Sequence, residues 1–161
     1  MKLQIRIKML LAIFIAGLVL SGITDFPIES QLAVARLWLH SLFEGSLLAE
    51  WINVVYAGVR ETNSKYPFIA YGTDWLAFAH LVLAILFVGP FRDPVKNIWV
   101  IQFGMIACVA VLPLALIAGE VRGIPFFWRV IDCMFGLIGG FILIVCYKDI
   151  KKLENIKQEM Q

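Results

Sequence analysis

Apolar positions run almost unbroken over residues 9–23, 75–88, 98–119 and 126–147 instead of alternating or recurring on a single face. Because roughly 20 residues cross a hydrocarbon core of ~30 Å, such runs predict transmembrane helices. The last two are long enough as they stand. The second is short unless the preceding Tyr66, Pro67, Phe68, Ile69, Ala70, Tyr71, Gly72 and Thr73 extend it or dip into the interface, and the first is shorter still.

Between the first two spans, residues 24–73 are too many for a turn and too apolar for a flexible linker. Ser30 is a candidate N-cap for a helix carrying Val34, Leu37, Trp38 and then Leu42, with Arg36, His40 and Glu44 interleaved and Gly45 as the stop. Ser46 starts a second helix. It gathers Leu48, Trp51, Ile52, Val55 and Val59 on one stripe and ends in the polar run Glu61 to Lys65. Two amphipathic helices on the outer membrane face, or capping the bundle there, follow from that pattern.

Pro113 removes one backbone hydrogen bond from the third span and predicts a kink there. In the fourth span Gly136 and Gly140 form a small-xxx-small pair, which favours close helix packing within the chain. The turn 89–97 holds two prolines and a glycine, and reads as a rigid polar reversal. After Tyr147 the tail 148–161 alternates Lys and Asp or Glu as a solvated helical extension.

Composition agrees with the pattern: of 161 residues, 61% are hydrophobic and 16% charged. An average soluble domain has roughly 45–50% and about 25%. A mean hydropathy of +0.85 excludes a soluble single core, disorder and a disulfide framework. A net charge of +2, with no basic run interleaved with aromatics, argues against nucleic acid as a partner. Cys108, Cys133 and Cys146 fit no metal-binding spacing and read as small buried hydrophobes.

Charge also orients the chain. Nine of the fourteen Lys and Arg residues precede span one, separate spans two and three, or follow span four. The positive-inside rule therefore predicts both termini on the cytoplasmic side of a plasma membrane, the bacterial inner membrane being the natural setting. Residues 1–23 also have the shape of a secretory signal, but the sites flanking a cleavage point lack the small-residue pair, which favours an uncleaved first helix.

Ionisable residues inside a span are candidates for function because they are costly there. His80 and Asp132 each sit five or six residues into their spans, roughly 8–9 Å below the outer boundary at 1.5 Å per residue. If spans two and four are neighbours, His80 and Asp132 form a proton-handling pair, joined by Asp74 at the mouth. Arg122, Arg129 and Trp128 would line a cleft suited to a phosphate or carboxylate headgroup. The plainer readings are an Arg129–Asp132 pair on one helix face, His80 bonded to a backbone carbonyl, Asp74 or Thr73 as a helix cap, and Trp75, Trp99 and Trp128 as interface anchors.

No histidine cluster, GxSxG, HExxH, P-loop or dinucleotide glycine pattern is present, and no metal site or cofactor is indicated. A bis-histidine haem would need His40, which falls on a predicted surface helix. The size and span count are similar to those of lipoprotein signal peptidases, but the aspartate motifs of that family are missing around Asp74 and Asp132. The sequence thus predicts an all-α integral membrane protein over 1–161, a single-domain four-transmembrane-helix bundle. Its leading functional expectation is a non-enzymatic accessory or assembly component, partnered by lipid and by another membrane protein or a second copy. The alternative is an enzyme or carrier for a lipid-like or anionic small molecule at the outer leaflet.

Overall fold

A computed structural model describes residues 2–159, and among these residues there is no strand. The helices are α1 (Lys2–Asp25), α2 (Ile28–Leu42), α3 (Leu47–Lys65), α4 (Tyr71–Leu86), α5 (Val88–Arg92), α6 (Ile98–Pro113), α7 (Gly119–Val121) and α8 (Phe126–Glu159). Four helical stretches are long and apolar enough to cross a membrane: Lys2–Asp25, Pro67–Arg92, Ile98–Val121 and Phe126–Glu159. The second gains its length at both ends. A 3₁₀ turn at Pro67–Ile69 leads into α4, and α5 carries the helix on to Arg92.

The chain falls into two compact units, Met1–Gly17 with Ala84–Gln161, and Leu18–Leu83. In the first, α6 and α8 lie antiparallel in a constant register. Gly104 meets Leu143, Cys108 meets Gly139 and Val111 meets Gly136, so each step up α6 is a step down α8. A Cβ on Gly136 would stand 2.6 Å from the Cys108 carbonyl oxygen, and one on Gly140 would touch Cys108 Cβ at 3.5 Å. The small-xxx-small pair is thus used within the chain, where the absence of side chains lets two backbones approach. Phe14 of α1 reaches Gly139 and packs at a tilt of 50° against Phe87 with ring centroids 4.7 Å apart. All three cysteines are free thiols, with Cys146 fully buried.

Three local features of this unit depart from the sequence reading. Pro113 ends α6, and the chain widens into a π turn over Leu114–Ala118 in which the Leu114 N–H is shared between the Ala110 and Val111 carbonyls. A missing donor at Pro113 is accommodated by widening the turn. The reversal 89–97 is half helical, because Pro90 falls in the first turn of α5, where backbone N–H groups lack intrahelical partners anyway. Asn97 Nδ2 closes the reversal by donating to the Gly89 and Asp93 carbonyls at 3.2 and 2.9 Å. The tail is no simple solvated extension: α8 continues to Glu159 and buries Asp149, Ile150 and Leu153. Asp149 accepts from both Nε and Nη2 of Arg6, while Lys151 pairs with Glu154 at 2.8 Å.

In the second unit α2 and α3 form an antiparallel hairpin. Asn63 donates to Glu29 at 2.8 Å near one end, and the Arg36 guanidinium lies 4.9 Å over the Tyr56 ring further along. Gly45, with φ 77°, makes the reversal, and the Ser46 hydroxyl accepts from the Ala49 N–H at 3.2 Å as expected of an N-cap. Ser30 is not a cap. Residue Gln31 already bonds back to the Pro27 carbonyl at 3.0 Å, so α2 begins upstream of it. Of the predicted α3 stripe Ile52 is buried and Leu48, Trp51, Val55 and Val59 are half-buried, with Ala49 buried beside them, whereas Val34, Leu37 and Trp38 of α2 stay more than half exposed. Gly22 of α1 fits against α4, where a Cβ would stand 2.9 Å from the Ala77 carbonyl oxygen.

Gly136→Ala must displace a backbone carbonyl and is expected to destabilise the first unit by about 1–3 kcal/mol, the usual cost of overpacking. Gly17→Ala, with open space around its Cα, is expected to leave the thermal midpoint in detergent unchanged or slightly raised.

Candidate functional site

The polar residues nominated by the sequence divide between the two units, with Asp74 and His80 in one and Arg122, Trp128, Arg129 and Asp132 in the other. His80 sits on α4, three-quarters buried. Its Nδ1 lies 2.9 Å from the Leu76 carbonyl and 3.5 Å from Asp25 Oδ2. A carbonyl only accepts, so Nδ1 is the protonated nitrogen of this ring. The plainer reading of His80 thus describes part of its setting, and the carboxylate within its own unit is Asp25, the last residue of α1.

Asp74 is half-buried in the first turn of α4 and caps nothing. Its own N–H bonds the Ala70 carbonyl at 3.2 Å, and the Thr73 hydroxyl donates to the same carbonyl at 2.7 Å. With Phe26, Tyr71, Trp75 and Phe78 it lines an open groove of about 260 Å³. The aromatics form an edge-to-face ladder, Tyr71 on Trp75 at 5.9 Å and Trp75 on Phe78 at 5.8 Å. One carboxylate over exposed aromatic rings lacks the cationic partner that an anion or headgroup site requires.

In the other unit Arg129 reaches back across the turn 122–125 and pairs with Glu120, while Nη1 makes a long 3.4 Å contact to the Leu116 carbonyl inside the π turn. The stem of Arg129 packs where a Gly119 side chain would be, and its guanidinium lies 5.4 Å from the Phe126 ring centre. Glu120, rather than Asp132, is therefore the partner of Arg129. The geometry assigns Arg129 to holding the irregular end of the third apolar helix, since a π turn leaves carbonyls that a side chain must satisfy. Arg122 is exposed and Trp128 half-buried. Asp132 is half-buried on the α8 face that also carries Gly136, Gly139 and Leu143, and within its own unit it forms no ion pair.

Sequence reasoning missed Asp25, Glu120 and the Arg6–Asp149 pair. A signal existed for two of them. Asp25 closes the first apolar run, and Gly123, with φ 67°, permits the tight reversal that sets Glu120 opposite Arg129. Among the described residues, no group of three His, Cys, Asp or Glu side chains gathers to hold a metal ion. Comparison with protein-family models, curated proteins and solved structures returned no match for this chain.

Arg129→Lys keeps the charge but loses the longer, planar guanidinium whose Nη1 reaches both Glu120 and the Leu116 carbonyl. It is expected to cost about 1.5–3 kcal/mol, the range for hydrogen bonds to charged groups, as read from unfolding in detergent. Arg122→Lys is expected to leave the same midpoint unchanged.

Proposed function

We propose that this chain is a small multi-pass protein of a bacterial-type plasma membrane that serves as a non-enzymatic accessory or assembly component of a membrane complex. Both termini face the cytoplasm in this reading, following the distribution of Lys and Arg. The α2–α3 hairpin lies on the outer face, with the exposed Val34, Leu37, Trp38 and Leu42 stripe of α2 turned toward lipid. Trp75, Tyr71 and Trp99, all exposed, act as interface anchors.

The observation that carries the reading is that the charges best placed for chemistry are bonded at home. Arg129 is held by Glu120 and the π turn, and His80 by the Leu76 carbonyl with Asp25 3.5 Å away. A reactive centre needs such paired groups to open onto a cleft where a substrate can sit, and neither His80 nor Arg129 lines either groove described for this chain. What the four apolar helices offer outward is aliphatic and aromatic surface, such as Phe135, Ile138 and Phe141 of α8. In a bilayer such faces recognise other helices through packing.

One observation favours the alternative of an enzyme or carrier for a lipid-like or anionic small molecule. Asp132 lies half-buried on the packing face of α8 without an ion pair in its own unit, which is costly in lipid unless a ligand or proton compensates it.

Native mass spectrometry on protein gently extracted from its own membranes separates the two. The accessory reading expects a polypeptide partner at fixed stoichiometry, retained in His80→Gln and Asp74→Asn variants. A protein that emerges without a polypeptide partner, carrying a small molecule that Asp132→Asn loses without unfolding, would replace that reading with the site-bearing one.

A further inference from the structure

The α2–α3 hairpin carries a second groove, of about 440 Å³, lined by Arg36, Tyr56, Ala57, Arg60, Glu61 and Lys65 together with Ser64. Its floor follows from helical spacing. Tyr56, Arg60 and Ser64 recur every four residues along one ridge of α3, and Ala57, Glu61 and Lys65 along the next. Ala57 keeps the middle of the floor low. Arg36 enters from α2, its guanidinium fixed 4.9 Å over the Tyr56 ring.

The charges in this groove do not cancel. Glu61 is taken by Lys65 at 2.6 Å on its own helix, whereas none of the ion pairs among the described residues involves Arg36 or Arg60. Two arginines from two antiparallel helices thus line one groove without an ion-pair partner, and Ser64 lines it with them. Planar guanidinium forks bind oxyanions with several acceptor oxygens, and the volume falls within the usual range for small-molecule sites, about 300–1,000 Å³.

Chain connectivity names the anion. Lys65 ends α3, and the apolar helical stretch that is long enough to cross a membrane starts two residues later at Pro67. At 1.5 Å per residue, Arg60 stands only about 10 Å along the chain from that start. Phosphate is the oxyanion that a bilayer presents at the end of a span, and basic side chains near the surface are drawn to it.

We infer that this groove is a binding site for a phosphate-bearing anion, with Arg36 and Arg60 as its ligands, Tyr56 as the group that positions Arg36, and Lys65 holding Glu61 out of the way. The inference rests on the membrane placement of the hairpin proposed above, and not on the partner reading. A lipid headgroup and free phosphate share the chemistry, and both sources are open to test on the full-length chain.

In neutral detergent, inorganic phosphate should raise the thermal midpoint of the wild-type protein. In nanodiscs, replacing part of the phosphatidylcholine with phosphatidylglycerol should give a retained anionic lipid by native mass spectrometry. Midpoint response without lipid retention assigns free phosphate, and retention without the midpoint response assigns the headgroup. In either case Arg60→Gln should weaken the response about tenfold, Arg60→Lys should weaken it less, and Arg92→Gln, at an exposed arginine far along the chain from the groove, should leave it intact. Arg60 makes no ion pair, so its variants are expected to fold, and a wild-type midpoint without ligand checks this. A wild-type protein indifferent to both anions, or a response unchanged by Arg60→Gln in a folded variant, would overturn the proposal.

Discussion

A carboxylate that is only 1% exposed has to be paired, and Asp149 is paired by both ends of one guanidinium fork, that of Arg6. The two residues stand 143 positions apart, so the first helix and the last are fastened before any apolar contact between them is counted. Phe14 against Gly139 is the second contact, and its order along the two helices makes α1 and α8 antiparallel. Within this unit, the Gly136 and Gly139 contacts with Cys108 depend on α8 holding its register, which apolar packing alone specifies weakly in lipid. A directional, two-pronged ion pair specifies it well.

The same constraint recurs wherever the helices are irregular or carry charge. The π turn after Pro113 frees carbonyls, and Arg129 lies against it with Glu120 holding the guanidinium in place. His80 donates to the Leu76 carbonyl and stands beside Asp25. Asn97 closes the reversal after α5 with two carbonyl contacts. In each case a polar side chain completes a backbone or charge that lipid would leave bare, and these groups of the apolar stretches serve as parts of the scaffold. Asp74 and Asp132 stand apart from that pattern, as do Arg36 and Arg60 on the hairpin.

Much of this was legible in the sequence and some was not, for physical reasons. Helix periodicity and apolar run length located the four long helices and both hairpin helices, and Gly45 with Ser46 marked the reversal between α2 and α3, because each of these is a local property. The start of α2 was misplaced because a serine is a cap only where backbone N–H groups are unpaired, and the Pro27 carbonyl had already engaged Gln31. Asp149 looked like one more charge in an alternating tail. Its burial depends on Arg6 at the far end of the chain, which no window of neighbouring residues contains. The pairing of Arg129 with Glu120 rather than Asp132 likewise depends on a reversal at Gly123 that helical spacing alone does not foresee. Exposure of the Val34, Leu37 and Trp38 stripe was invisible to periodicity, which marks a face without saying what covers it.

The role of paired charge as scaffold is tested most directly by a double-mutant cycle at Arg6 and Asp149, followed through the thermal midpoint of the purified protein in detergent. Asp149→Asn and Arg6→Gln should each lower the midpoint by several degrees, and the double variant should lose little more than either alone, because both singles break the same bond. Losses that simply add, or singles that unfold at the wild-type midpoint, would mean that the pair contributes nothing to holding α1 against α8.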